Sequence, residues 1–165
     1  MKKINCKELH RIALQKNKNM KLIIQAKIQI QKPIETVFEN IVNPDKMINY
    51  FIGSSSGRME ENAELIWTFP EFEEKCPLTV TEVIPNSKIA FVWDPETVVT
   101  IQLTEQKDKS TLVHVTEDGK ENTEKGIKWF GGNTEGWANF LACLKAFSEY
   151  DINLRKGAFD FLKIQ

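Results

Sequence analysis

At 165 residues, with 41% apolar and 27% charged side chains, the chain can bury roughly 70% of the surface it exposes when unfolded, without help from disulfides or metal. Ten Phe and four Trp mark a globular rather than a disordered composition, and a net charge of −1 excludes a global field that draws nucleic acid or anionic membrane. Cys6, Cys76 and Cys143 are odd in number and far apart, with only His10 and His114 as imidazole partners, so neither a disulfide framework nor a zinc site is expected. The start of the chain lacks the apolar run of a secretory signal, and no stretch approaches the roughly 18 apolar residues of a transmembrane helix. The expectation is a cytoplasmic protein, a monomer or a homodimer, with no membrane span and no nucleic-acid partner.

Residues 1 to 20 carry Lys2, Lys3, Lys7, Arg11, Lys16 and Lys18 against the single acid Glu8, and read as a solvated basic extension. From Lys21 the pattern alternates strictly, with Leu22, Ile24, Ala26, Ile28 and Ile30 on one face, which predicts a half-buried strand. Pro33 followed by Ile34, Val37, Phe38 and Ile41 predicts a short amphipathic helix, and Asn43-Pro44 repeats the start signal for a second one over Asp45 to Tyr50. Gly53-Ser54-Ser55-Ser56-Gly57 reads as a flexible connection, and Ala63, Leu65, Trp67 and Phe69 alternate as the next strand.

Leu78 to Ile84, Lys88 to Trp93, Thr97 to Leu103 and Thr111 to Thr116 are β-branched or aromatic stretches with short polar breaks between them. Breaks that short exclude parallel crossovers, so the sheet is expected to be an antiparallel meander. Glu117 to Lys128 reads as a polar segment, with turn chemistry accounting for Glu117 and Asp118 beside Gly119. Trp137, Phe140, Leu141, Leu144 and Phe147 then fall at helical offsets, predicting a long helix from Gly132 to about Tyr150, capped at Asn133 or Thr134.

The fold class is therefore α+β, a curved antiparallel sheet of about six to seven strands wrapped around a long C-terminal helix, with two short helices between strands one and two. That order resembles the helix-grip fold of the START-like superfamily, also called SRPBCC or birch-pollen-allergen-like. Pro33-Ile34-Glu35-Thr36-Val37-Phe38 is similar to the family's entry into its first helix, and Thr81-Glu82-Val83-Ile84-Pro85 with Phe91-Val92-Trp93 is similar to its central hairpin. Gly136-Trp137 followed by Leu141 and Leu144 resembles its final helix, in the branch named for homologues of the activator of the ninety-kilodalton heat-shock-protein ATPase. The resemblance spans Lys21 to Tyr150 and implies one START-like domain over residues 21–165. The chain differs from that branch at Gly57-Arg58-Met59-Glu60 and in the added tail Ile152-Asn153-Leu154-Arg155-Lys156-Gly157.

Nucleophilic catalysis needs a base held beside a Ser or Cys, and His114, alternating with Val113 and Val115, reads instead as an exposed or hydrogen-bonded strand residue. No Walker sequence or G-x-G-x-x-G is present, so no nucleotide and no other cofactor is expected. Glu82 shares the parity of Leu78, Val80 and Ile84 and is a candidate to point inward, unless a bulge or a basic partner turns it out. The aromatic set, on a sheet and helix that cannot close tightly, suggests a ligand-sized apolar cavity. Its expected lining is Trp67, Phe69, Val80, Glu82, Phe91, Trp93, Trp129, Phe130, Trp137, Phe140, Leu141 and Leu144, with Trp129-Phe130-Gly131-Gly132 as a gate. Non-enzymatic binding of a hydrophobic small molecule or lipid is the leading expectation. The resemblance implies two alternatives, a module that modulates a chaperone ATPase and a cyclase-like enzyme using a cavity acid such as Glu82 or His114.

Overall fold

The computed structural model of the chain describes residues 20–164. The basic extension expected over residues 1 to 20 lies outside the described residues, Met20 excepted. Alternation in β1 (Lys21–Ile30) turns Ile24 and Ile30 fully inward while every odd position faces out. Two short helices follow, α1 (Ile34–Val42) and α2 (Pro44–Met47). On α1 the spacing of Ile34, Val37, Phe38 and Ile41 buries all four against the core. Asn43 ends α1 and starts α2, its side chain accepting the Asp45 amide at 3.0 Å, with Pro44 as the first helical residue.

The remaining strands are β2 (Ser54–Ser55), β3 (Glu64–Thr68), β4 (Cys76–Ile84), β5 (Lys88–Val92), β6 (Val98–Glu105) and β7 (Thr111–Glu121). They form one seven-stranded antiparallel sheet in the order β1-β7-β6-β5-β4-β3-β2. The meander is thus as expected, with β1 closing on β7. The stretch read as a flexible connection pairs instead, Ser54 and Ser55 lying opposite Thr68 and Trp67.

The long helix α3 (Glu124–Tyr150) begins eight residues earlier than its apolar spacing suggests. Thr123 caps it, its hydroxyl accepting the Gly126 amide at 3.1 Å. Gly126 is needed there, because a Cβ would stand 2.0 Å from the Glu121 carbonyl oxygen where helix and strand meet. Trp129-Phe130-Gly131-Gly132 is consequently helical rather than a hinge before the helix. Gly131 and Gly132 are exposed with open space around them, and their poor helix propensity hid the first two turns from view.

Trp137, Phe140, Leu141 and Leu144 turn from α3 onto the sheet and join one continuous core with α1. Tyr50, fully buried, stacks on Phe147 at 5.3 Å and donates its hydroxyl to the Asn40 carbonyl at 3.0 Å. The Asn40 amide reaches Ser148 at 3.0 Å, so one short path ties α1 to α3. After Tyr50 the chain supplies Phe51 and Ile52 to the same core. Beyond Asp151, in the left-handed conformation at φ 54°, residues 152–164 fold back and end in a 3-10 turn, Asp160–Ile164.

Candidate ligand-binding site

The inward parity of β7 runs Val113, Val115, Glu117, and all three are completely buried. Glu117 lies between Ile24 of β1 and Val99 of β6 on the face that α3 covers. Its Oε1 accepts the indole N–H of Trp93 at 2.9 Å and the Thr97 hydroxyl at 3.0 Å. Its Oε2 accepts the Trp137 indole N–H at 2.8 Å and the Asn133 amide at 3.0 Å. Desolvating a carboxylate costs several kcal/mol, and four bonds to it at roughly 1.5–3 kcal/mol each suffice to offset that without a cation. No lysine or arginine is needed at this point.

Two glycine-dependent approaches bring the donors in. Gly119, at φ 136°, admits the turn between β5 and β6, since a Cβ there would meet the Glu96 carbonyl oxygen at 1.8 Å. That turn carries Thr97 onto Glu117, and Lys120 holds its outer side through Asp94 at 2.7 Å and through Glu96. From the other direction, the extra turns at the start of α3 bring Asn133 and Trp137 down onto the same carboxylate. Trp93 and Trp137 then stack at 5.3 Å and 29°. The Trp137 ring continues at 5.5 Å into Phe140, and that of Trp93 at 5.5 Å into Phe91.

Beside this pair opens a pocket of about 540 Å³. Phe51, Phe69 and Phe72 form its far side, and Trp93 and Trp137 its near side. Asn133, Glu135 and Asn139 come from α3, and Arg155, Phe159, Phe161 and Leu162 come from the segment after it. Arg155 anchors that segment. Its guanidinium lies 5.8, 5.7 and 4.7 Å from the ring centres of Phe51, Phe69 and Phe159, and its Nη2 meets Glu71 Oε2 at 2.8 Å. Burial pushes the Cys143 thiol up, partly countered by Arg155, and pushes the Tyr50 phenol well above its ordinary range, so neither is poised as a nucleophile.

Of the residues expected to line a cavity, Phe69, Trp93 and Trp137 line this one. Trp67, Val80, Phe91, Phe140, Leu141 and Leu144 stand behind it in the closed core. Trp129 and Phe130 are half-buried against the core on the first turns of α3 and do not line the pocket. Glu82 is turned away: a bulge between Val80 and Glu82 reverses the parity of β4, so Val83 packs inward while Glu82 meets Lys88 at 2.6 Å. His114 lies on the outer face opposite Lys27 and Gln102, and burial first, then Lys27, lowers its pKa. Glu117 is the residue that the sequence reading assigned to turn chemistry, although its parity with Val113 and Val115 continues unbroken. In the sequence, Ile152-Asn153-Leu154-Arg155-Lys156-Gly157 reads only as an addition to the family's pattern.

Among the described residues there is no group of three or more metal-ligating side chains, and no helix is long and apolar enough to cross a membrane. No significant match is found among curated proteins. Among solved structures, the protein SSP2350 from Staphylococcus saprophyticus is similar at 33% identity and a TM-score of 0.73, covering 81% of this chain and 96% of that one. The Aha1 dimer from Colwellia psychrerythraea matches at 22% identity and a TM-score of 0.67, over 78% of this chain and 97% of that one. EF2215 from Enterococcus faecalis, a conserved protein of unknown function, matches at 20% identity and a TM-score of 0.67, over 93% of this chain and 91% of that one. A family model described as Activator of Hsp90 ATPase homolog 1-like protein matches residues 31–149, from the entry to α1 almost to the end of α3. With well over half of its length under that model, on the helix-grip fold that these structures share, the chain belongs to the Activator of Hsp90 ATPase homolog 1-like family.

Proposed function

We propose that the protein binds a hydrophobic small molecule or lipid in the pocket between the sheet, α3 and the C-terminal segment, and that it does so without catalysing a reaction. The observation that carries this reading is the pocket itself, about 540 Å³ and walled by Phe51, Phe69, Trp93, Trp137 and Phe159. Cavities of this size and lining suit ligands of drug-like dimensions, whose apolar surface supplies the driving force at roughly 25 cal/mol per Å² buried. Phe69, Trp93 and Trp137 are the proposed contacts. Trp67, Phe91 and Phe140 back them and keep the wall rigid.

A cyclase-like reaction through Glu82 or His114 gains no support from the geometry, since both lie on the outer side of the sheet. Native mass spectrometry of gently purified protein, paired with displacement of an apolar fluorescent probe, tests the binding reading. A co-purified mass, or a probe that binds and is displaced by apolar competitors, is the expected result. Protein that carries no mass and takes up no probe contradicts it.

A further inference from the structure

The hydrogen-bonding groups around the pocket are unevenly committed. Both indole N–H groups of its near wall, from Trp93 and Trp137, are spent on Glu117, and so is the Asn133 amide N–H. Arg155 gives Nη2 to Glu71 and, among the described residues, leaves Nη1 without a hydrogen bond, while its Nε, also without a partner, is buried beneath the surface. Two side chains that α3 adds to the lining are uncommitted among the described residues, a carboxylate, which accepts, and an amide, which can both donate and accept. Glu135 lines the pocket from an exposed position on α3 and has no ion pair or hydrogen bond among the described residues, and the Asn139 side chain is likewise uncommitted.

Charge points the same way. Among the described residues Arg155 is the one cation in the lining, and Glu71 already balances it. Glu117, held by neutral donors alone, stands directly behind Trp93 and Trp137. With Glu135 at the rim, the described residues present more negative than positive charge to the pocket. Its rings already accommodate a cation from the chain itself, because the Arg155 guanidinium rests within 5.8 Å of three Phe ring centres. An anionic ligand would find its charge opposed by Glu135 and Glu117, whereas a positively charged ligand would meet the free Glu135 carboxylate, the Asn139 amide oxygen and aromatic surface.

We infer that the ligand class of this pocket is an organic cation, an amine on a ring-bearing apolar body, with its ammonium directed to Glu135 and Asn139. This rests on the reading of the pocket as a ligand site and adds the charge of what enters it. Three probes that share one body and differ in charge test it with the full chain at neutral pH: naphthylmethylamine, naphthylmethanol and naphthoate, titrated by calorimetry or tryptophan fluorescence. The amine is expected to bind tightest and naphthoate weakest, with about a tenfold spread in Kd, the size of one unmatched polar contact. Glu135→Gln, at an exposed position that leaves the core untouched, is expected to weaken the amine by about threefold, as for a solvent-screened charge contact, and to leave naphthylmethanol unchanged.

Naphthylmethanol or naphthoate binding as tightly as the amine overturns the inference while leaving the pocket reading intact. Equal loss of all three probes on Glu135→Gln also overturns it, since that would be a packing effect. If none of the three binds, both the inference and the pocket reading fall.

Discussion

The wall that β5, β7 and α3 raise around Glu117 is interlocked by four hydrogen bonds to one fully buried carboxylate, whereas the wall supplied by Arg155, Phe159, Phe161 and Leu162 is anchored through a guanidinium between three rings and an acid. The first joins distant strands and a helix, so disturbing it disturbs the core. The second joins a terminal segment to the surface of that core, beyond the 31–149 match to the family. With the two walls anchored by separate contacts, loosening the outer one is expected to leave the floor in place, because local opening is governed by the contacts of the opening segment.

The strongest way to break this contrast is at the floor. Glu117→Ala strands four donors, those of Thr97 and Trp137 on buried residues, and leaves a void, and is expected to cost about 3–5 kcal/mol of unfolding free energy in urea, with loss of the near-ultraviolet signal of the stacked tryptophans. Glu117→Gln, which keeps one acceptor oxygen, is expected to lose less. A cost under about 1 kcal/mol for the alanine variant would show that the network is not what holds the floor.

The outer wall is expected to respond differently. Arg155→Met removes the ring contacts, worth about 0.5–2 kcal/mol, and leaves Glu71, whose side chain is only 5% exposed, without its cation. Hydrogen exchange should rise by about tenfold or more across residues 152–162 while amides of β5, β6 and β7 keep their protection. Adding Glu71→Gln should recover part of the loss, as coupling between contacting residues requires. Equal loosening of sheet and segment would erase the distinction between the two walls.

The smallest effect belongs to an ion pair remote from both. Arg58 grips Glu39 through two bonds, at 2.9 and 2.7 Å, and holds its carboxyl at about 2. A depressed carboxyl pKa stabilises the fold above the ordinary carboxylate range, and that contribution fades as pH falls from about 4.5 towards 2. Both side chains are more than a third exposed, so solvent screening keeps the contribution below about 1 kcal/mol. Urea unfolding of wild type and Arg58→Met should therefore differ slightly at pH 6 and converge near pH 2, while the nuclear-magnetic-resonance titration of Glu39 moves up in the variant.

The same contrast separates what was legible in the sequence from what was not. Alternation in β1 and the spacing on α1 were unambiguous because each element buries one face, and the hairpin breaks left no alternative to an antiparallel sheet. The inner end of the site was obscured by composition. Glu117, Asp118 and Gly119 look like a turn, and only the continued parity from Val113 and Val115 indicates that Glu117 stays inside. Glu82 shows the reverse, since its parity is sound until the bulge at Thr81, which no local residue pattern announces. Gly126, Gly131 and Gly132 concealed the start of α3, and with it the approach of Asn133 to Glu117. The Arg155 wall depends on contacts between residues more than eighty positions apart, as with Glu71, and such pairings carry no local signature.

The most direct test of the account is to follow the tryptophan indole N–H signals by nuclear magnetic resonance while naphthylmethylamine is titrated into the protein. Trp93 and Trp137 form the pocket wall, whereas Trp129 lies on α3 outside the pocket. The signals of Trp93 and Trp137 are expected to shift saturably while that of Trp129 stays in place. Saturable shifts at Trp129 alone, or none at Trp93 and Trp137, would contradict it.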